Sequence, residues 1–234
     1  MNIYVYGAFM RFDNYITELS SIYGKGITFI DIDETIYHTF AKIDVINDKS
    51  GAVVQSLNNQ EFNTYSLPDG HHFDFAEFRS AELFNKTSIP IPATVNRIKR
   101  MCKHMDIRGS RIVFLTARAD FDDKEVFLDT FRQIGIPIDD IYVDRAGNDR
   151  TGTAANIKKR IVMKYINTGE YRRVRMIDDD MANLKAFLKL QDEVSPATIS
   201  KIMKKYNIKG EETIPVIEFY ALFVNKTGAL KQIK

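Results

Sequence analysis

Residues Ile27–Thr35 read ITFIDIDET. Four residues rich in β-formers run into two aspartates one position apart, Asp31 and Asp33, with a threonine two positions further on. A strand that rises into Asp-x-Asp carries both carboxylates at its carboxyl end, where open α/β sheets bind their ligands. Ile27–Asp31 is apolar on both faces, as expected of a central parallel strand covered by helices.

The same rhythm recurs downstream. Ile89-Pro90-Ile91-Pro92 leads into ATVNRIKRMCKHM, which has helical spacing and prolines suited to a first turn. RIVFLT (Arg111–Thr116) is a second buried strand, and FDDKEVFLDTFRQI is a helix opened by acidic residues and closed by Gly135. Ile138–Asp144 predicts a third strand, RAGNDRTGT a loop and TAANIKKRIVMKYI a helix. Arg172–Ile177 predicts a fourth strand, running into Asp178-Asp179-Asp180, and MANLKAFLKL and PATISKIMKKY follow as helices. IPVIEFYALFV-NKTG-ALKQI reads as a β-hairpin that extends the sheet at one edge. At the other end of the chain, residues 8–22 space their apolar positions as a short amphipathic helix does. The fold class expected is α/β: a doubly wound, mainly parallel, Rossmann-like sheet.

Between the first strand and the second half of this pattern, residues 37–90 change texture. AKIDVI and AVVQSL flank the turn-rich NDKSG and predict a hairpin. EFNTYSL is a third β-like piece, ending at Pro68-Asp69-Gly70, and FDFAEFRSAELF is too short and aromatic to classify. His71 and His72 read as exposed loop residues, and Phe73, Phe75 and Phe78 as a small local core. The expected organisation is a core of residues 1–36 and 91–192, a small inserted module at 37–90, and a C-terminal helix and hairpin at 193–234.

Of the 234 residues, 44% are hydrophobic and 27% charged, which is ordinary for a soluble globular protein. No apolar run approaches the length of a membrane span, and the N-terminus lacks the pattern of a signal peptide. With Cys102 as the one cysteine, no internal disulfide or cysteine-based metal site can form, and a cytoplasmic location is expected. Cys102 itself reads as helix packing. From Lys158 onward there are 16 Lys/Arg against 9 Asp/Glu, a net of +7; before it there are 17 against 22, a net of −5. A basic half can meet phosphate or nucleic acid. The plainer reading is solvated helix faces beside an acidic site.

In a parallel sheet the carboxyl ends of all strands point one way, so Asp31 and Asp33, Thr116, Lys158 or Lys159, and Asp178–Asp180 converge. Acidic residues from two strand ends repel unless a cation lies between them, and oxygen-only ligands favour Mg²⁺. A hydroxyl and an ammonium complete a site for a tetrahedral anion, which implies phosphoryl transfer.

DIDET, FLTAR, a helical lysine and IDDDMAN, in that order, resemble the four motifs of haloacid-dehalogenase-like phosphatases. The resemblance covers residues 26–36 and 91–190. It implies Asp31 as nucleophile and Asp33 as general acid and base, with the Asp33 backbone carbonyl also on the metal. It implies that Thr116, with Ala117 and Arg118 of the same loop, and Lys158 hold the phosphoryl group. Asp178 and Asp179 would hold Mg²⁺ with Asp31 and Asp33, and Asp180 would face outward or cap the next helix. For these roles Asp31 must be ionised, and Asp33 should have the higher pKa of the two.

Lys158 is the expected lysine, because Ile157 and Ile161 mark the buried face of its helix, and Lys159 is the alternative. Lys158, Ile161, Lys164 and Ile166 also resemble the corresponding helix of polynucleotide-kinase 3′-phosphatase domains, where an arginine placed like Arg118 contributes to the site. Ala154 stands where that family carries an acid, a departure from its pattern. Without such a role, Arg118 would pair with Asp120 or Asp122. FAEFR in the insertion and DFDDKE after FLTAR are similar to segments of tailed-phage proteins.

The expected partner is a small phosphorylated substrate, with a nucleotide or a nucleic-acid end as candidates and the inserted module as the selecting lid. A receiver-like domain has its lysine after the hydroxyl on the last strand, an order this chain does not follow. A non-catalytic phosphate- or nucleic-acid-binding protein on the same fold is the alternative.

Overall fold

A computed structural model describes residues 24–149, 151–209 and 215–233. The helix expected within residues 8–22 lies outside the described residues. Among the described residues the sheet begins with β1 (Gly26–Ile30), every residue of which is buried. The inserted stretch then contributes β2 (Tyr37–His38), β3 (Ile43–Asn47), β4 (Val53–Leu57), α1 (Asn59–Thr64) and β5 (His71–Asp74). It closes with α2 (Ala76–Arg79), α3 (Ala81–Thr87) and β6 (Ile89–Pro90). The alternating part follows as α4 (Pro92–Arg108), β7 (Arg111–Thr116), α5 (Lys124–Gln133), β8 (Tyr142–Arg145), α6 (Ala154–Ile166) and β9 (Arg173–Asp178). The chain ends in α7 (Met181–Leu188), α8 (Leu190–Glu193), α9 (Pro196–Tyr206), β10 (Glu218–Val224) and β11 (Leu230–Ile233).

The main sheet runs β11-β10-β9-β1-β7-β8. β1 is parallel to β7 and β9, β8 is parallel to β7, and β10 is parallel to β9; β11 is antiparallel. Numbered along the chain, the parallel strands lie in the order 3-2-1-4-5, as in a Rossmann-like sheet. The chain builds outward on one side of β1, then returns to build the other, so the crevice between β1 and β9 is the topological switch point.

Period-two alternation along the strands separates two apolar clusters. Ile30, Ile112 and Phe114 pack with Val95 and Ile98 of α4 and Phe127 and Phe131 of α5. On the other face Ile27, Phe29, Val113 and Leu115 pack with Val162 of α6, Leu184 and Phe187 of α7 and Ile202 of α9. Burying each of these large side chains contributes about 2–3 kcal/mol before entropy is counted.

Within residues 37–90, β4-β3-β5 form a separate three-stranded sheet with its own aromatic cluster of Phe62, Tyr65, Phe73 and Phe75. The α3 helix behaves differently. Its Phe84 is buried in the core, 5.4 Å from the ring of Tyr37 and 5.7 Å from Phe127.

Four expectations change. EFNTYSL does not open as a strand, because Asn58 and Glu61 form a reciprocal capping box (3.0 Å or less in each direction) that starts α1. His71 and His72 are strand residues, paired with Asn47 and Ile46 of β3. Ile138–Asp140 is a 3-10 turn after Pro137, closed by the Ile141 nitrogen on the Ile138 carbonyl, and the third core strand starts only at Tyr142. The basic run at Tyr171–Arg175 is not a solvated face. Arg172, Arg173 and Arg175 are buried, with Arg172 Nε donating to the Val216 carbonyl and Arg173 Nη2 to the Gly24 carbonyl. Among the described residues no helix is long and apolar enough to cross a membrane.

Candidate active site

Asp31 stands one residue past β1, where its nitrogen still donates to the Ile177 carbonyl of β9 at 3.0 Å. Asp178 is the last residue of β9 and is fully buried. The two carboxylates therefore face each other across the switch point. Lys158 supplies the cation between them: its Nζ donates to Asp31 Oδ1 at 2.6 Å and to Asp178 Oδ2 at 2.9 Å. Thr153 caps the start of α6, and Ile157 and Val162 anchor the helix, so Lys158 points inward with 2% of its side chain exposed. Lys159 lies about 100° further round the helix and pairs instead with Glu193 at the surface.

One carboxylate oxygen from each of Asp31, Asp178 and Asp179 lies within 4.8 Å of the others. Asn183, in the first turn of α7, donates its amide to both oxygens of Asp178 and fixes that carboxylate's orientation. Asp180 caps the same helix through the Ala182 nitrogen.

Asp33 is held by a different set of groups. Arg118 Nε donates to both of its oxygens at 3.0 Å and Nη2 to Oδ1 at 2.6 Å. Thr39 donates to Oδ1 at 2.8 Å, and Thr116 Oγ1 stands 3.5 Å from Oδ2 while accepting from the Arg118 nitrogen. The Asp33 carboxylate is thus outside the three-carboxylate cluster. Arg118 does not pair with Asp120 or Asp122, whereas Ala117 beside it is exposed in the loop. The residue after Asp33, Glu34, adopts a left-handed conformation (φ 54°), with its carboxylate bound to His38 and to the Thr39 nitrogen.

The order of acidity is the reverse of the sequence expectation. Burial raises the Asp31 carboxyl well above the usual range, opposed by Lys158 and reinforced by the charges of Asp178, Asp179 and Asp33. Burial would raise Asp33 too, but the charge and hydrogen bonds of Arg118, with the Thr39 hydroxyl, carry it below its ordinary value. Burial and Asp178 push Asp179 up to about 7. Burial disfavours the Lys158 ammonium, but Asp178 and Asp31 outweigh it and hold the group charged.

No protein-family model matches the chain, and no curated protein matches it. What the site can do must therefore follow from its own groups. It offers three convergent carboxylates, a buried ammonium that binds two of them, and a fourth carboxylate paired with a guanidinium. Such a set suits a cation on one side and an anionic, oxygen-rich ligand on the other.

Thr39, Asn183 and Gly147 carry no recognisable signal in the sequence, although Asn183 lies within the IDDDMAN stretch. Gly147 matters through its lack of a side chain. A Cβ there would collide with the Ala117 carbonyl and the Ala119 nitrogen, in the loop that carries Arg118. Gly147→Ala is expected to displace that loop and cost about 1–3 kcal/mol in chemical denaturation. An unchanged midpoint would show that the loop yields freely.

Proposed function

We propose that this chain is a Mg²⁺-dependent phosphomonoester hydrolase of the haloacid-dehalogenase-like type, working through an aspartyl-phosphate on Asp31. The observation that carries the reading is Lys158 Nζ, bound to Asp31 and Asp178 at one end of a three-carboxylate cluster. Asp31 and the acids at the end of β9 then occupy neighbouring strand ends, with the Lys158 ammonium reaching them from α6.

The donor set fits a hard divalent ion. Asp31, Asp178 and Asp179 offer only oxygen, and with Lys158 counted they leave two formal negative charges to be neutralised. Those three residues would hold Mg²⁺, with the backbone carbonyl of Asp33 as the further ligand that the family resemblance implies. Bound there, Mg²⁺ would offset the charge on the phosphoryl oxygens and let an anionic nucleophile approach an anionic ester.

The residues' own work follows. A carboxylate oxygen of Asp31 attacks phosphorus as the bond to the leaving oxygen breaks, and Asp33 gives that oxygen its proton. Water then attacks the acyl phosphate, Asp33 takes the proton, and Asp31 leaves with the electron pair of its bond to phosphorus. Thr116 and Lys158 donate to the phosphoryl oxygens through both steps. Arg118 favours Asp33 in its base form, so donation to the leaving group requires that ion pair to open.

The substrate class is a phosphomonoester, with nucleotides and nucleic-acid ends the first candidates and the inserted module as selector. The alternative of a nucleic-acid-binding protein without catalysis finds less support, because Arg172, Arg173 and Arg175 are buried away from any such ligand.

The test is a panel of aryl, sugar, nucleotide and oligonucleotide phosphates, assayed with Mg²⁺ and with chelator. Hydrolysis of at least one class, lost with chelator and restored by Mg²⁺, is expected. No hydrolysis across the panel, or hydrolysis indifferent to chelation, would overturn the reading.

A further inference from the structure

The chain enters the β4-β3-β5 sheet through the stretch after β2 and leaves it through α2, and both passages reach the same carboxylate. The first leaves β2 and passes through Thr39, whose hydroxyl donates to Asp33 Oδ1 at 2.8 Å. The second passes through α2, where the Phe78 carbonyl accepts from Arg118 Nη1 at 3.0 Å and the Phe78 ring centroid lies 4.4 Å from the guanidinium carbon. Arg118 in turn holds both oxygens of Asp33. The two links are also tied to each other and to the core. The Lys42 nitrogen donates to Glu77 at 2.7 Å, and the Asp122 nitrogen, just past Arg118, donates to the Arg79 carbonyl at 2.9 Å.

Behind Phe78 the contact continues into the module. Its ring meets Phe75 at 6.4 Å, and Phe75 meets Phe62 at 5.6 Å. An unbroken line therefore runs from the aromatic cluster of the module through Phe78 and Arg118 to Asp33. The Asp33 side chain is only 15% exposed, and its hydrogen bonds come from Arg118, Thr39 and Thr116. Among the described residues, two of those three donors are thus linked to the module.

We infer that Thr39 and Phe78 are positioning residues for Asp33, and that through them the inserted module aims the proton-transfer group at the leaving oxygen. The inference rests on the phosphatase reading. Neither residue touches the three-carboxylate cluster, so neither is needed to hold a cation or to make Asp31 a nucleophile. Loss of aim therefore affects the steps in which Asp33 moves a proton, and kcat/KM, which reports events up to departure of the leaving group, reads the first of them. A good leaving group barely needs that proton, whereas a poor one depends on it.

The experiment compares kcat/KM for p-nitrophenyl phosphate, whose phenolate departs readily, with phenyl phosphate, whose leaving group needs protonation. The proteins are wild type, Thr39→Val, Thr39→Ser, Phe78→Leu, Phe78→Tyr and Asp31→Asn, all in Mg²⁺. Thr39→Val and Phe78→Leu are expected to lose about tenfold or more on phenyl phosphate, and less than about threefold on the nitro ester. Thr39→Ser and Phe78→Tyr, which keep the hydroxyl and the ring, should recover most of the phenyl phosphate rate. A purely structural defect would lower both esters together and would not follow this pattern of rescue. If Asp31→Asn is inactive but both esters fall equally, or neither falls, the positioning role is overturned while the phosphatase reading stands. If Asp31→Asn is as active as wild type, the phosphatase reading fails and this inference fails with it. Because the two sites lie on separate links, misfolding of one variant leaves the other to decide.

Discussion

Asp31→Asn is expected to lower Mg²⁺-dependent turnover of an aryl phosphate by at least about 10⁴-fold, the scale on which loss of a nucleophile usually registers. The same variant should unfold at a higher temperature than wild type in chelator. Asp31 is buried beside Asp178 and Asp179 with one ammonium among them, so its charge costs stability in the absence of a cation. Because the folded-state pKa of Asp31 is raised above the ordinary 3.8, protonation favours the folded form. Stability is therefore full below the unfolded value and is lost as pH rises towards the folded one. Asp179 behaves likewise across the window from 3.8 to about 7.

The gain in Tm from Asp31→Asn, measured in chelator, should accordingly widen as pH climbs from 3.8. Adding Mg²⁺ should narrow it, because a ligand that binds only the folded wild-type site stabilises it by mass action. Wild-type activity in Asp31→Asn would dispose of the aspartyl-phosphate mechanism. A Tm difference that shrinks with pH would contradict the electrostatic account of the cluster.

Lys158→Met should be the most destabilising single change in the site. It retains the packing of the aliphatic stem but removes the one cation that, among the described residues, bonds to Asp31 and Asp178. Breaking a buried pair by removing one partner costs about 3–5 kcal/mol, because the remaining charge is left uncompensated. Here two carboxylates lose their partner at once. Lys159→Met, one position along, should change denaturant stability by less than about 1 kcal/mol, since its pair with Glu193 is largely at the surface. Comparable midpoints for the two variants in urea would show that the buried ammonium does not hold the site together. Turnover should also vanish in Lys158→Met, even at saturating Mg²⁺, because the phosphoryl group loses its second cation.

The core was legible because its strands and helices show strong periodicity. Arg111–Thr116 and Pro196–Tyr206 appear where apolar spacing and turn residues predict them, and β1 and β9 end within a residue of the expected carboxylates. The inserted stretch was harder, since its elements are short and set by local capping. The Asn58–Glu61 box converts a β-like composition into a helix. Side-chain partners are the other blind spot. Sequence places Arg118 near the site but does not reveal that it pairs with Asp33, and that pairing reverses the expected order of acidity. The same limit hid Arg172, just before β9, and Arg173, its first residue, whose charges look like surface charges until their carbonyl partners at Val216 and Pro215, and at Gly24, are known.

The central strand has a consequence for how the chain folds. Gly26 pairs with Arg173 and Ile27 with Arg111, so β1 takes both its neighbours from much later in the chain. Closing loops of that length precedes any energetic return, which slows assembly and keeps a largely apolar segment without its sheet partners in the interim. Asp31 and Asp178 meet only when β1 pairs with β9. Their mutual repulsion thus arises only once that long loop has closed, in the arrangement where Lys158 bonds to both.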